Sequence, residues 1–375
     1  MRITFVLPTV SMAGGIRVVG IYARELMEMG HSVCLVSPPP KPLSLRQKFR
    51  SWRKGDGWPR YQVALPSHLD GDSLDHHVLD VWRPVNDADV PDADVVVATW
   101  WETAEWVNAL SPQKGAKAYF IQHHEVFFYL PIERCRATYR LPMHKIVIAR
   151  WLKQVMEKEY GDNAVDLVPN SVDKSQFFAS ARGKQEVATV GLLYSSASFK
   201  GVRTSFAALR DVRKKMPDLR IVCFGSEYPN SELPLPADTE FILSPPQDQI
   251  RDIYARCDVW VAASTSEGFN LPAMEAMACR TPVVATRTGW PDEAIRTKRN
   301  GVLVDIDDVS GLADGIEWVL TRNEDDWRKL SSNAYATVEE SSWKSSASMF
   351  EEALKNACRR AARREVGGDC TVCEV

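Results

Sequence analysis

Two glutamates, Glu267 and Glu275, lie eight residues apart in the stretch STSEGFNLPAME at 264–275. A short apolar run, DVWVAA at 258–263, precedes them, and TPVVAT at 281–286 follows. Both runs have the length and β-branched content of buried strands, so the glutamates belong to the loop and helix start of a βαβ unit. Asn270 is of the type that caps helix N-termini, and Pro272 falls in the first turn, where a missing N–H costs nothing. Backbone N–H groups and a positive dipole end then meet at the C-terminal edge of a parallel strand, a geometry that suits an anion. Glu275 falls one turn into the helix, where side chains lean back toward the N-terminus, so its carboxylate reaches the helix mouth. Two carboxylates touching a phosphate would repel it. As hydrogen-bond acceptors for hydroxyls at either end of a sugar nucleotide they are well matched. The competing reading, a solvated loop acid and a surface helix acid, suits Glu267 better than Glu275. The latter lies among Ala273, Met274, Ala276, Met277 and Ala278, and charged residues are rarely buried without a partner.

The chain that must position these residues has 375 of them, a length that suits two domains. Hydrophobic content of 45%, charged content of 25% and a net charge of -3 describe a globular protein with no global attraction to nucleic acid. Met1–Val10 is a strand-like run with one early arginine and no cleavage site, so it does not read as a signal peptide. No run of about 20 apolar residues is present to span a membrane. Cysteines scattered singly, such as Cys34, Cys223, Cys257 and Cys279, suit reduced thiols in a cytoplasm. Cys370 and Cys373 form a lone CxxC, weak as a metal site without a second pair.

Taken in order, residues 2–7 (RITFVL) read as a buried parallel strand, followed by a loop ending in Gly14-Gly15, an amphipathic helix, and a strand at 32–37. This β-loop-α-β start lacks GxGxxG, which disfavours a dinucleotide. The segment Leu43–Lys54 is basic and amphipathic, with Leu45, Phe49 and Trp52 at helical spacing. It reads either as a solvated element of its own domain or as a contact for a membrane or an acidic acceptor. Further strands are expected at 78–81, 94–99 and 117–122, with helices at 103–110 and 150–160. The strand at 117–122 ends on His123-His124-Glu125 and an aromatic run, Phe127–Tyr129, at the strand end where α/β folds place ligands. The second half restarts with a strand at 187–193, a polar loop to Lys200-Gly201, a helix at 202–215, a strand at 220–225 and a helix at 249–257. A last helix is expected at 341–354, and residues 359–375 read as a frayed tail.

The segment EGFNLPAMEAMACRTPVV, at 267–284, resembles the E-x7-E signature of the family 4 retaining glycosyltransferases of GT-B fold. LVPNSVD at 167–173 resembles that family's linker. The resemblance implies an α/β chain of two Rossmann-like domains facing a central cleft. An acceptor-binding domain is expected at 1–166 and a nucleotide-sugar-binding domain at 167–340. A C-terminal helix at 341–358 then crosses back to the first domain, and a flexible tail occupies 359–375. It implies transfer of a hexose or deoxyhexose from a UDP-, dTDP- or GDP-linked donor to a hydroxyl acceptor (glycan, lipid-linked or small molecule). No cofactor or metal is implied, and no protein nucleophile, because the leaving phosphate oxygen takes the acceptor's proton.

By the same resemblance Lys200 neutralises the diphosphate, whose growing charge the transition state must stabilise. Backbone around Gly268, Phe269, Asn270 and Leu271 binds phosphate or sugar, Glu267 the sugar hydroxyls and Glu275 the ribose hydroxyls. Gly14 and Gly15 let donor and acceptor approach the backbone, the alternative for them being a tight turn that needs glycine. His124, with His123 and Glu125, contacts the sugar or orients the acceptor. Location is implied to be cytoplasmic, with a peripheral contact at the inner membrane surface if residues 43–54 serve one.

One departure stands out. Members carry GRxxxxKG, whereas Gly191 here is followed by Leu192, Leu193 and Tyr194 and a longer loop to Lys200. Arg203 or another arginine would supply the missing cation, or Tyr194, Ser195 and Ser196 would hydrogen-bond the phosphates. Two other readings stay open: a GT-B scaffold that binds a sugar nucleotide without turnover, and a sugar-nucleotide 2-epimerase, which the E-x7-E segment disfavours. Asp305, Asp307 and Asp308 are the nearest thing to a metal-binding acidic cluster, in what the resemblance makes a connecting loop.

Overall fold

Apolar runs alternating with amphipathic stretches build two all-parallel sheets. The computed structural model describes residues 1–43, 45–46, 53, 66–71 and 73–368. They divide into one unit of Met1–Pro169 with Lys344–Val375 and a second of Asn170–Trp343. Most of the basic segment at 43–54 lies outside the described residues, as do Cys370 and Cys373.

The first unit runs β1 (Arg2–Val6), α1 (Gly14–Glu28), β2 (Ser32–Ser37), β3 (Asp75–Val78), β4 (Val95–Ala98), α2 (Trp101–Ala109), β5 (Ala116–Ile121), α3 (Ile132–Thr138), β6 (His144–Val147), α4 (Arg150–Tyr160) and β7 (Val165–Leu167). Its seven strands lie in the order β3-β2-β1-β4-β5-β6-β7. Val95–Ala98 are all buried, as a parallel strand covered on both faces must be. The strand expected at 78–81 is corrected: the pairing residues are 75–78, with Cys34 opposite Asp75. Val78 and Val81, which suggested the strand, are 52% and 60% exposed.

The second unit runs β8 (Thr189–Leu193), α5 (Val202–Lys215), β9 (Arg220–Gly225), β10 (Thr239–Leu243), α6 (Ile250–Ala255), β11 (Val259–Ala262), α7 (Leu271–Ala278), β12 (Val283–Thr286), α8 (Gly289–Ala294), β13 (Gly301–Val304), α9 (Val309–Leu320) and α10 (Glu324–Val338). Its strand order is β10-β9-β8-β11-β12-β13. Trp327 of α10 is fully buried and donates its indole N–H to the Asp258 carbonyl at 3.0 Å, so the helix is fixed against the root of β11.

The chain closes with α11 (Trp343–Gly368), which belongs to the first unit. Phe350 stacks on Tyr22 at 4.6 Å and meets Phe120 edge-on at 5.0 Å. Residues 359–368 are helical, so the tail reading is corrected for them. Arg359 pairs with Glu352 at 2.7 Å and Arg360 donates to the Ala164 carbonyl at 2.9 Å, which gives the charge helical and tertiary partners. In each sheet the order reverses once, between β1 and β4 and between β8 and β11. Such reversals leave a crevice at the strands' carboxyl ends, where open α/β sheets bind ligands.

Candidate functional site

Lys200 and Glu267 follow the two strands that flank the second unit's reversal. The loop after β8 closes in a 3-10 turn, Ser198–Lys200, and Gly201 takes φ 63. A Cβ there would strike the Ala263 carbonyl oxygen, so only glycine lets this loop lie flush on the end of β11. The Thr265 N–H donates to the Phe199 carbonyl at 2.8 Å and ties the two loops together. Lys200 Nζ then lies 2.7 Å from Glu267 Oε1, and the same oxygen accepts from Ser264 Oγ at 2.7 Å. The side chains are 26% and 10% exposed, so the pair lies partly open at the strand ends. Lys200, Ser264, Glu267, Asn270 and Pro272 line one small recess there.

The first turn of α7 is built differently from the expectation for Asn270. Its φ of 79 and ψ of 62 are left-handed and its side chain makes no capping bond. Asn is one of the few side chains that tolerate this conformation, and the turn it makes, not a cap, starts the helix. Gly289, at φ 59, lets the chain pass the Phe269 carbonyl, which accepts from Trp290 N–H at 2.8 Å while the two rings stack at 5.9 Å. Glu275 is 5% exposed and accepts from the Tyr254 hydroxyl at 2.9 Å. The surface-acid reading of Glu275 therefore fails.

Tyr194 is corrected. It is 1% exposed, and its hydroxyl donates to Leu233 O at 3.0 Å and accepts from Asn230 N–H at 3.1 Å. It packs on Phe241 and Phe206 as a core residue. Ser196 is engaged by Glu227, and Arg203 donates to the Glu232 carbonyl at 3.1 Å. The acids at 305–308 have structural partners: Asp308 accepts from the Gly311 N–H at 2.8 Å, Asp305 pairs with Arg287, and Asp307 accepts from Thr204.

In the first unit, His123, His124 and Glu125 follow β5. His124 Nε2 is 2.7 Å from the Tyr160 hydroxyl, and burial pushes its imidazole below the usual histidine range, so it is neutral at pH 7. His123 packs on Phe127 at 4.8 Å and Trp151 at 5.9 Å. Glu125 points inward, which corrects its assignment to an acceptor. It is 2% exposed, accepts from the Trp101 N–H at 3.0 Å, and burial drives its carboxyl well above the usual range. Trp100, the residue before α2, offers no side-chain oxygen, and Glu125 supplies the acceptor that the helix's first amide needs.

Neither Gly14 nor Gly15 has positive φ, so the tight-turn explanation for them fails. A Cβ on Gly14 would meet nothing within 4 Å, whereas one on Gly15 would meet Gln122 Nε2 at 3.3 Å. Gln122 donates to the Gly15 carbonyl at 3.1 Å and links the end of β5 to the start of α1. Tyr160, Tyr254, Ser264 and Gln122 carry no motif of their own. Only their positions beside His124, Glu275, Glu267 and Gly15 in the folded chain mark them.

Residues 174–337 match the family model described as Glycosyl transferases group 1. The D-inositol 3-phosphate glycosyltransferase of Corynebacterium jeikeium (strain K411) is 27% identical over 235 residues, 54% of this chain and 55% of that protein. That of Pseudarthrobacter chlorophenolicus is 34% identical over 172 residues, 41% of each. The chain spans about half the length of the curated relatives it matches. Among solved structures, the sucrose-phosphate synthase of Thermosynechococcus elongatus superposes with a TM-score of 0.70 at 15% identity, over 95% of this chain and 98% of that one. Anabaena HepE in complex with UDP-glucose gives 0.70 at 15% identity, over 95% and 100%. The fold is GT-B, and sequence likeness to curated glycosyltransferases extends over about half of the chain.

Proposed function

We propose that the protein is a retaining glycosyltransferase that moves a hexose or deoxyhexose from a nucleoside diphosphate sugar to a hydroxyl acceptor. The observation that carries this reading is the Lys200–Glu267 ion pair, 2.7 Å long, at the reversal of the second sheet. Lys200 is the cation that meets the diphosphate as the glycosidic bond breaks and charge gathers on the leaving oxygen. Turning to the phosphate, it releases Glu267 to the hydroxyls of the transferred sugar, with Ser264 still holding one carboxylate oxygen. Glu275, oriented by Tyr254, takes the ribose hydroxyls, and backbone N–H groups at Gly268–Leu271 take phosphate or sugar oxygens.

In the first unit, His123, His124 and the backbone at Gly15 receive the acceptor, and the backbone at Gly14 and Gly15 also meets the donor. The acceptor's proton goes to the leaving phosphate oxygen, so no side chain acts as nucleophile and no metal takes part. With Tyr194 in the core, the second diphosphate cation of the resembling enzymes has no counterpart at that position. No described helix is long and apolar enough to cross a membrane. We place the reaction in the cytoplasm, with residues 43–54 as the candidate contact for a membrane-borne acceptor.

Thermal shifts against UDP, dTDP and GDP identify the nucleotide, since a ligand at 100 times its Kd adds about 2.7 kcal/mol to stability. The matching sugar nucleotide is then followed for hydrolysis and for transfer to hydroxyl acceptors, inositol phosphates among them. Failure of all three nucleotides to bind overturns the reading. Binding with neither hydrolysis nor transfer favours a scaffold without turnover.

A further inference from the structure

We propose that Cys34, Asp75 and His77 form a binding site for a divalent cation of the zinc class on the edge of the first sheet. Cys34 of β2 and Asp75 of β3 are directly opposed in the parallel register. His77 follows Asp75 by two residues, and the pleat of a strand puts such residues on one face. One thiol, one carboxylate oxygen and one imidazole nitrogen thereby lie within 4.8 Å of one another.

The spacing is close to what a metal needs. His77 Nε2 and Asp75 Oδ1 are 3.0 Å apart. Nitrogen and oxygen ligands on a tetrahedral zinc, at about 2.0–2.2 Å from the metal, stand roughly 3.4 Å from each other. A small side-chain rotation opens the pair by that difference. Asp75 and His77 are 62% and 63% exposed on a short edge strand and have room to make it. Thiolate, imidazole and carboxylate together form a borderline-soft set that suits zinc and not magnesium or calcium. Cys34 is buried and anchors the site from the sheet side. With three protein ligands the remaining position goes to water, so the site is exchangeable.

The cation would act on structure. β3 is four strands from β5 in the sheet order, or roughly 19 Å at about 4.8 Å per strand, so the site is remote from His123 and His124. It joins the edge strand to the buried β2 and favours the folded form by mass action.

The full-length chain carrying Cys370→Ser and Cys373→Ser, which removes the competing CxxC pair, is stripped with chelator. It is then titrated with Zn²⁺ by calorimetry and with Co²⁺ as a spectroscopic probe. One cation per chain, a thiolate-to-cobalt charge-transfer band and a Tm that rises with Zn²⁺ but not Mg²⁺ are expected. Cys34→Ser should abolish the band. His77→Gln, at an exposed position that folding tolerates, should weaken Zn²⁺ binding by more than the roughly 10- to 100-fold that losing an outer-shell partner costs. No binding, a band that survives Cys34→Ser, or an affinity unchanged in His77→Gln would each overturn the proposal.

Discussion

Where the strand order of the second sheet reverses, opposite charges face each other at the open strand ends, and at the end of β5 in the first sheet the carboxyl group is buried. Lys200 and Glu267 are only partly covered, while Glu125 is sealed against the first amide of α2. What remains at the end of β5 is aromatic and imidazole: His124 on Tyr160 and His123 on Phe127 and Trp151, with bare backbone at Gly14 in the same unit. A mouth of paired charges suits a ligand that arrives charged, because the ion pair can exchange one partner for it. An aromatic mouth with imidazole hydrogen-bonding groups suits an uncharged hydroxyl compound, which needs no ionic partner. The two halves thus divide the proposed reaction into a donor end built on charge and an acceptor end built on shape and hydrogen bonds.

The comparison breaks most directly at Lys200. Losing a charge-assisted partner costs about 2–5 kcal/mol, or roughly 30- to several-thousand-fold in rate where the loss falls on the transition state. Lys200→Ala should lower transfer by that factor, and Lys200→Arg, which keeps charge without geometry, should recover part of it. Initial rates of both variants and of the wild type, each with and without EDTA, make the check. A near-normal Lys200→Ala, or activity lost to chelator and restored by Mg²⁺ or Mn²⁺, would remove the charged donor end from the argument.

A smaller effect separates the two glutamates. Hydrogen bonds that hydroxyls donate to a carboxylate contribute roughly 1.5–3 kcal/mol. Glu275→Ala should therefore weaken binding of the nucleoside diphosphate alone, whereas Glu267→Ala should spare it and damage transfer. Tyr254→Phe sharpens the test, since it keeps the ring and removes the 2.9 Å bond that orients Glu275. In a double-mutant cycle it should cost nucleotide affinity only while Glu275 is present. Additive losses would mean that Tyr254 acts through packing, and normal nucleotide binding by Glu275→Ala would remove its ribose role.

Glu125 tests the buried carboxyl through pH. Burial raises its folded-state pKa well above the ordinary 4.5, so in the window above 4.5 the folded chain holds a proton that the unfolded chain has lost. Stability linked to Glu125 therefore falls as pH rises from 4.5 through the folded value, by at most about 1.4 kcal/mol per pH unit. Glu125→Gln keeps an oxygen for the Trp101 amide and has no proton to lose. Its stability relative to wild type should improve as pH rises from 5 to 8, read from denaturant midpoints. A gap that stays flat with pH would show that Glu125 does not titrate in a buried setting.

How much of this could be read in the chain depends on whether one element or two fixed the answer. Glu267 and Glu275 were legible because a strand, a loop and the phase of a single helix place them. Lys200 was singled out by resemblance, but its contact with Glu267 depends on β8 lying beside β11, and no local pattern states that. Tyr194 misled because it follows a strand and reads as loop, whereas Phe206 and Phe241 offer its ring a core position. Glu125 misled because the need of α2 for an acceptor is visible only once β5 and α2 are neighbours. At 359–368 the charge read as solvation, while Ala353, Leu354 and Ala357 just before it were already holding the helix to the first unit. No strand is expected at 144–147, where β6 begins with the polar His144 and Lys145. The structure buries both, with Lys145 bonded to Asp162 at 2.6 Å and His144 to Asp166 at 2.8 Å.

The smallest expected effect lies at Tyr160, and it decides whether the acceptor end is organised at all. His124 is neutral at pH 7, so one ring nitrogen carries a proton and the other does not. Its 2.7 Å contact with the Tyr160 hydroxyl engages Nε2 and so governs which tautomer presents its other nitrogen to a ligand. A net hydrogen bond of this kind contributes about 0.5–1.5 kcal/mol, so Tyr160→Phe should change acceptor use by roughly 2- to 10-fold. The ring stays, with its edge-on packing against His124 at 5.8 Å, so a purely structural role predicts little change. Acceptor KM and kcat are measured at saturating donor, beside the Kd of the nucleoside diphosphate. A change in acceptor dependence with nucleotide affinity intact is the expected result, because Tyr160 and His124 belong to the first unit and the proposed donor groups to the second. Equal losses in both would assign His124 to the donor, and unchanged kinetics would leave the His124–Tyr160 bond a packing feature of the first unit.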